Sequence, residues 1–327
     1  MSMAIRMGRR ASLRTVTQAS YGPSGQSAWL GTDWREHQRW VRIEGSWANV
    51  VEIGSGPPVL FIHGLGGTWQ NWLEQLPATA EAGYRAIAVD LPGFGHSEMP
   101  QEEISISGYG RWVDALLEEL AYGPVALVGN SMGGFIAAEV AIQFPARVER
   151  LVLVSAAGIT IEFQRSERAL AALYRTERIG KIVTTWVALQ SDVLARRPRL
   201  RKALLHFVAA HPDRLPAPLV AEQIRGTGKA GFLPALDALS KYPIRDRLQK
   251  IACPTLIVWG GKDRLVPVRD ADVFEKLIPD ARKVIFDDTG HVAMLERPER
   301  FNRLLLDFLA EEPGEDVERT SSAAAAD

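Results

Sequence analysis

Apolar and polar residues follow two patterns along the chain. The segments His37 to Ile43 and Trp47 to Ile53 alternate apolar and polar residues around a turn at Gly45, which predicts a β-hairpin. Further on, continuous apolar runs are typical of strands that are buried on both faces of a parallel sheet. These runs are Val59 to Ile62, Ala86 to Val89, Val125 to Val128, Leu151 to Val154, Thr255 to Trp259 and the shorter Val284 to Phe286.

Segments with a helical pattern lie between the apolar runs. They include Tyr109 to Leu120, Met132 to Phe144 and Pro298 to Leu309, the last with proline at the helix start. Strands that alternate with helices predict an α/β fold with a mostly parallel, twisted sheet and helices on both faces. Ligands of such sheets bind beyond the carboxyl ends of the strands, so the functional residues are expected at that edge.

One long segment breaks the alternation. Residues 159–247 carry helical patterns such as Leu173 to Leu189 but no buried-strand run, which predicts a helical cap inserted between the sixth and seventh strands. Residues 33–158 and 248–310 then form the α/β core. Residues 1–32 form a basic arm that we expect to be flexible, and residues 311–327 form an acidic, then alanine-rich tail that we expect to be disordered.

The composition fits a folded protein that acts on a small molecule. Hydrophobic residues make up 46 % and charged residues 24 % of the 327 residues, near the averages of globular domains. A formal net charge of -1 provides no basic field for binding nucleic acid. No apolar stretch approaches the roughly 20 residues that a membrane-spanning helix needs.

Cysteine usage and the first residues bear on location. Cys253 is the only cysteine, so no intrachain disulfide can form and a reducing compartment is expected. We therefore expect a cytoplasmic protein, while the arginines and the lack of acidic residues in the arm leave organellar import open. The sequence does not indicate the oligomeric state.

The strongest chemical motif is Gly-Asn-Ser-Met-Gly at residues 129–133. It follows an apolar strand and opens a helix, which is the context of a nucleophile on a sharp strand-to-helix turn. The two glycines avoid collisions with neighbouring backbone, and the helix N-terminus favours developing negative charge. Ser131 is therefore the candidate nucleophile.

A serine hydroxyl needs a base, and the base needs an orienting acid. His291 follows the last predicted strand, after the nucleophile in the chain, as the order serine, acid, histidine requires. Asp263 follows the strand that ends at Trp259 and is the candidate acid. Asp287 and Asp288, close to His291 in sequence, remain competitors.

A glycine-rich loop after the third strand can supply an oxyanion hole. His-Gly-Leu-Gly-Gly occupies residues 63–67, and glycines there allow a backbone N–H to face the cavity. The predicted donors are the amides of Leu65 and Met132. His63 itself is expected to tie the loop down by a hydrogen bond.

These motifs, in this order and spacing from His37 to Leu309, are similar to the α/β-hydrolase superfamily. Residues 90–97 (Asp-Leu-Pro-Gly-Phe-Gly-His-Ser) also resemble the loop after the fourth strand in its cap-bearing members. The resemblance implies a serine hydrolase that needs no metal or organic cofactor. Its haloalkane dehalogenases and epoxide hydrolases carry aspartate at the elbow, so Ser131 argues against those activities.

The substrate is less strongly indicated. The elbow resembles that of hydrolases that cleave carbon–carbon bonds in ring-fission products, but those enzymes usually have Trp after the catalytic histidine, where this chain has Val292. An ester with a hydrophobic acyl or alcohol group is therefore preferred. Carbon–carbon hydrolysis, acyl transfer or perhydrolysis, and a silent ligand sensor remain alternatives. Trp69, Trp72 and Trp186 are the substrate-binding candidates.

Overall fold

The computed structural model describes residues 21–160, 184 and 186–311. Its strands are β1 (Gln38–Ile43), β2 (Ser46–Gly54), β3 (Pro58–Ile62), β4 (Arg85–Val89), β5 (Val125–Asn130), β6 (Val148–Val154), β7 (Thr255–Gly260) and β8 (Ala281–Phe286). Its α-helices are α1 (Leu76–Glu81), α2 (Ile106–Glu119), α3 (Met132–Gln143), α4 (Ser191–Ala195), α5 (Pro198–Leu205), α6 (Ala217–Arg225), α7 (Phe232–Lys241), α8 (Arg269–Leu277), α9 (Ala293–Glu296) and α10 (Pro298–Ala310).

The eight strands form one sheet in the order β1-β2-β4-β3-β5-β6-β7-β8. Strand β2 pairs antiparallel with both β1 and β4. All other neighbouring strands are parallel. The predicted hairpin and the mostly parallel sheet are confirmed.

Helices cover both faces of the sheet because successive strand residues point to opposite sides. In β5, Leu127 packs into the hydrophobic cluster that contains α2 and α3, whereas Val128 packs into the cluster that contains α9 and α10. Both side chains are fully buried. The continuous apolar runs of the sequence therefore reflect burial on two sides.

The described part of the insertion is helical and lies between β6 and β7 in the chain. It contains α4 to α7. Leu219 and Val220 of α6 pack into the cluster of α9 and α10, and Leu239 of α7 packs into the cluster of α2 and α3. Most of the predicted helical segment Leu173 to Leu189 lies outside the described residues.

The segment before β1 packs on the core. Trp29 is buried, and its indole N–H donates a hydrogen bond to Glu74 at 2.9 Å. Trp34 lies against Trp69, with ring centroids 5.1 Å apart. Residues 21–32, which the sequence assigned to the basic arm, therefore contact the core through Trp29, and residues 1–20 and 312–327 lie outside the described part.

The described residues contain neither a membrane-spanning helix nor a metal cluster. Within residues 21–160 and 186–311, no helix is long and apolar enough to cross a membrane. In the same part of the chain, no group of His, Cys, Asp and Glu side chains is arranged to hold a metal ion.

The docking of the N-terminal segment can be tested with Trp29→Ala. Removing this buried side chain should lower the free energy of unfolding by about 3 kcal/mol, because a cavity replaces the indole. Leu30→Ala is the control, since Leu30 is 44 % exposed and should cost little. Urea unfolding followed by fluorescence measures both, and equal losses in the two variants would contradict the docking.

Candidate active site

Ser131 lies on the sharp turn that joins β5 to α3. Its φ is 56° and its ψ is -119°, a conformation that non-glycine residues rarely adopt. A Cβ atom at Gly129 would lie 2.3 Å from the carbonyl oxygen of Gly133, and one at Gly133 would lie 2.2 Å from that of Ile62. Only glycine fits at both positions, so the sharp turn itself requires the two glycines of the sequence motif.

His291 and Asp263 meet beside this turn. The imidazole Nδ1 of His291 lies 2.8 Å from Oδ2 of Asp263. The other carboxylate oxygen of Asp263 accepts hydrogen bonds from the amides of Leu265 and Val266, each at 2.9 Å. With the aspartate side chain fully buried, these bonds fix its orientation and leave one oxygen for the histidine.

The competing acids lie elsewhere. Asp288 accepts hydrogen bonds from Lys262 and from the ring of His211. Burial raises the pKa of Asp288, but these hydrogen bonds outweigh it and lower that pKa to about 2. Asp287 is exposed. Asp263 is thus the acid that the structure places on His291.

Ser131 and His291 line the same cavity, whose volume is about 370 Å³. This volume falls within the range of small-molecule sites. Its lining is mostly apolar and comes from the core loops and the cap, with Leu65, Leu219, Phe232, Leu236, Leu265 and Val292 among its members. Asn71, Gln223 and Thr227 add polar groups, and the described lining contains no Lys or Arg.

The loop predicted to carry the oxyanion hole faces the nucleophile. Gly64 to Gly67 line the cavity, and a Cβ atom at Gly64 would lie 3.1 Å from Cβ of Ser131. Met132 is the first residue of α3, so its N–H has no acceptor within the helix. Leu65 thus lines the same cavity as Ser131, and Met132 follows Ser131 directly; their role as oxyanion donors stays a prediction.

His63 anchors the same loop from below. It is fully buried, its Nδ1 donates to the carbonyl of Gly64 at 2.8 Å, and its Nε2 accepts from the amide of Leu91 at 3.0 Å. This pair of bonds requires the neutral ring with the proton on Nδ1. Burial lowers the pKa of His63, against the opposing charge of Asp90.

The three tryptophan candidates do not line the cavity. Trp69 and Trp72 are buried in the core, where Trp72 packs on Phe61 with ring centroids 5.1 Å apart. Trp186 is 58 % exposed and is not among the described lining residues. The aromatic side chain that the structure places beside the glycine-rich loop and in the described lining is Phe232, which the sequence did not single out.

Sequence reasoning missed the role of Asp90, which follows β4. This buried carboxylate accepts hydrogen bonds from the Asn49 side chain and from the amides of Trp69 and His96, at 2.8 to 2.9 Å. It thereby joins strand β2, the segment that follows the glycine-rich loop, and the loop after β4. The signal available in the sequence was an aspartate directly after a buried strand.

A second missed residue is Asn130, next to the nucleophile. Its side-chain amide donates to the carbonyl of Val154 at 3.1 Å and to that of His291 at 3.3 Å. The residue before the nucleophile thus bonds to the backbone of the base.

Comparison with known proteins identifies the family of the chain. The α/β hydrolase fold family matches residues 57–298, the part of the chain that contains Ser131, Asp263 and His291. The chain belongs to this family.

The relatives of this α/β hydrolase differ in substrate. A 2-hydroxy-6-oxononadienedioate/2-hydroxy-6-oxononatrienedioate hydrolase of Burkholderia vietnamiensis is 34 % identical over 293 residues, which cover 85 % of this chain and 92 % of the relative. The crystal structure of a membrane phospholipase A, a bacterial virulence factor, has a TM-score of 0.66 and 29 % identity, and the match covers 94 % of this chain and 92 % of that one. An esterase from Exiguobacterium antarcticum has a TM-score of 0.70 and 25 % identity, with 83 % and 99 % covered. This α/β hydrolase is therefore a hydrolytic enzyme.

The role of Asp263 can be tested with Asp263→Asn. Asparagine has only one oxygen that can accept hydrogen bonds, whereas the two oxygens of Asp263 serve Leu265 and Val266 on one side and the histidine ring on the other. The ring therefore loses its orientation. We expect the rate of labelling by a fluorophosphonate, which reacts with activated serines, to fall by about 10³-fold or more. The control Asp287→Asn should keep the wild-type rate, and the reverse ranking would assign the acid to residue 287.

The neutral state of His63 predicts a pH dependence of stability. In the unfolded chain His63 binds a proton near pH 6.5, whereas in the folded protein burial opposes protonation of its ring. The free energy of unfolding should therefore fall as the pH drops below about 6.5, by up to about 1.4 kcal/mol per pH unit. His63→Asn should flatten this dependence, while His96→Asn, at an exposed position, should retain it. Urea unfolding between pH 5 and 7 measures the slopes, and identical slopes in wild type and His63→Asn would refute the assignment.

Proposed function

We propose that this α/β hydrolase cleaves a carbon–carbon bond beside a ketone, with Ser131 as nucleophile, His291 as base and Asp263 as orienting acid. One observation carries the choice of bond: five relatives with 29 % to 34 % identity, covering 79 % to 85 % of this chain, are named as hydrolases of 2-hydroxy-6-oxo-dienoates or the corresponding diacids. The Gly-Asn-Ser-Met-Gly-Gly elbow supports the same choice. The proposal replaces the ester that the sequence favoured.

The chemistry of such a substrate defines the task. A 2-hydroxy-6-oxo-dienoate contains no ester or amide, so its hydrolysis must break the bond between C5 and the carbonyl carbon C6. That bond can break only if its electron pair has somewhere to go. Moving the proton of the 2-hydroxyl group to C5 gives a 2,6-dioxo compound, in which the pair can pass through the remaining double bond to the oxygen on C2.

Ser131 then attacks C6 while His291 takes the hydroxyl proton. The negative charge that develops on the C6 oxygen is held by the amides of Leu65 and Met132. The C5–C6 bond breaks, its electron pair reaches the C2 oxygen, and the proton on His291 neutralises that enolate. The products of this half-reaction are a 2-hydroxydienoate and an acyl group on Ser131.

Water completes the reaction. His291 takes a proton from water, the resulting hydroxide attacks the acyl carbon, and the carboxylic acid leaves as Ser131 regains its proton. The sum is substrate plus one water giving two products. Asp263 stays ionised and stabilises the histidine each time it carries a proton.

Ester hydrolysis is the second candidate, and the cavity lining supports it. A dienoate carries a carboxylate, which a buried site normally matches with a cation, and the described lining residues include no Lys or Arg. A neutral ester with an apolar acyl or alcohol group suits these side chains. The same triad serves both reactions, since they differ in the group that leaves.

The two reactions can be separated directly. The purified chain would be assayed with 2-hydroxy-6-oxo-6-phenylhexa-2,4-dienoate and with p-nitrophenyl esters of graded acyl length, beside Ser131→Ala prepared in the same way. We expect a higher kcat/KM for the dienoate and a loss of about 10³-fold or more in Ser131→Ala.

Other results would change the assigned reaction. A preference for esters that depends on Ser131 would move the assignment to an esterase. Products that carry an added alcohol or peroxide instead of water would indicate acyl transfer. Turnover that survives in Ser131→Ala would contradict both candidates, and tight binding without turnover of either substrate would indicate a ligand sensor.

A further inference from the structure

A buried carboxylate lies behind the catalytic histidine and takes no part in the reaction above. Glu296 is the last residue of α9, five positions after His291, and its side chain is fully buried. It is not among the residues that line the cavity. A buried carboxylate is costly unless hydrogen bonds compensate for the lost water, so its partners indicate what it does.

Three donors from three separate segments converge on Glu296. The amide of Gly290, directly before His291, donates to Oε1 at 2.8 Å. The amide of Ala210 in the cap donates to Oε2 at 2.9 Å, and the hydroxyl group of Tyr21 donates to the same oxygen at 2.6 Å. One side chain therefore ties the histidine loop to the cap and to the segment before β1.

The histidine loop is also bonded to the cap through its backbone. The amide of His291 donates to the carbonyl of Val208 at 2.8 Å. A Cβ atom at Gly290 would lie 2.7 Å from the amide nitrogen of Ala210. The backbone of His291 is thus held against residues 208–210 of the cap. Glu296 bonds to both segments at that contact.

Tyr21 completes the arrangement from outside the part of the chain that the family matches, residues 57–298. Its oxygen accepts a hydrogen bond from the amide of His211 at 2.9 Å while its proton goes to Glu296. The guanidinium group of Arg297 lies over its ring, 4.8 Å from the centroid. Burial, and next the charge of Glu296, raise the pKa of Tyr21, so the hydroxyl group stays protonated and remains a donor.

We propose that Glu296 is a positioning residue for the general base, and that Tyr21 is part of the same device, so that the segment before β1 acts on the rate of the chemical step. The inference rests on the proposed function, in which His291 activates Ser131. A shift of the base by about 1 Å costs roughly 100-fold in rate, whereas substrate binding depends on the cavity, which neither residue lines. Because neither residue can contact a bound ligand directly, the device acts mainly on the rate constant of the serine's reaction.

The test measures labelling of the full-length chain by an alkyl fluorophosphonate, with separate values for the maximal rate, the half-saturating concentration and the final stoichiometry. In Glu296→Gln one acceptor oxygen becomes an NH₂ group facing an amide donor, and we expect the maximal rate to fall roughly 10- to 100-fold. Tyr21→Phe removes one of three donors, and we expect a fall of about three- to tenfold. Half-saturation and stoichiometry should stay at the wild-type values.

Glu299→Gln is the matched control. This exposed carboxylate accepts from the amide of Ser24 at 2.8 Å, so it also holds the segment before β1 but has no contact with the histidine loop. Its labelling rate should equal that of the wild type. If Glu296→Gln does not fold, the comparison of Tyr21→Phe with Glu299→Gln decides the question.

The results separate positioning from simple stabilisation. A wild-type rate in both Glu296→Gln and Tyr21→Phe would overturn the inference. So would a wild-type rate with reduced stoichiometry, because that pattern reports a fraction of unfolded molecules. A wild-type chain that the reagent does not label would instead overturn the proposed function, and this inference with it.

Discussion

The backbone of Ser131 is held at a φ of 56° and a ψ of -119°, a conformation that costs a non-glycine residue about 1–3 kcal/mol. Burial of β5 and α3 on either side offsets that cost. The turn points the serine out of the sheet edge, and it tolerates no side chain at Gly129 or Gly133. The rest of the candidate site is arranged around this turn, because the glycine-rich loop at residues 63–67 and the loop of His291 line the same cavity as Ser131.

Parallel strands explain why residues far apart in sequence meet there. The carboxyl ends of β3, β5, β7 and β8 lie at one edge of the sheet, and the loops that follow them carry Leu65, Ser131, Asp263 and His291 in that order. The first three of these loops follow buried apolar strands, and the loop of His291 follows the partly buried edge strand β8. For this reason the sequence alone predicted the sheet, and local patterns placed the candidate nucleophile, base and acid at the same end of their strands.

Contacts between distant segments could not be predicted in the same way. Asp90 bonds to Asn49, and Trp29 bonds to Glu74, through side chains whose spacing in the chain follows no period. Trp69 and Trp72 were expected in the cavity because they follow the oxyanion loop, yet the packing of Trp72 on Phe61 turns it into the core. Residue type and position indicate that a tryptophan is near a site, but only the packing decides which side it faces.

The histidine loop connects the candidate base to the helical insertion. Residues 208–210 of the cap bond to Gly290 and His291 through Glu296 and through backbone contacts, so the cap lines the cavity and also supports the base. A change in the cap can therefore alter the rate of the chemistry as well as the choice of substrate. This coupling is independent of whether the leaving group is a carbon acid or an alcohol.

Ser131 as the nucleophile underlies every step of the proposed reaction. Peptide mapping by mass spectrometry, after reaction of the intact chain with a fluorophosphonate, tests this role directly. We expect one adduct per chain, carried by the peptide that contains Ser131. An adduct on a different residue, or none at all on a folded chain, would contradict it.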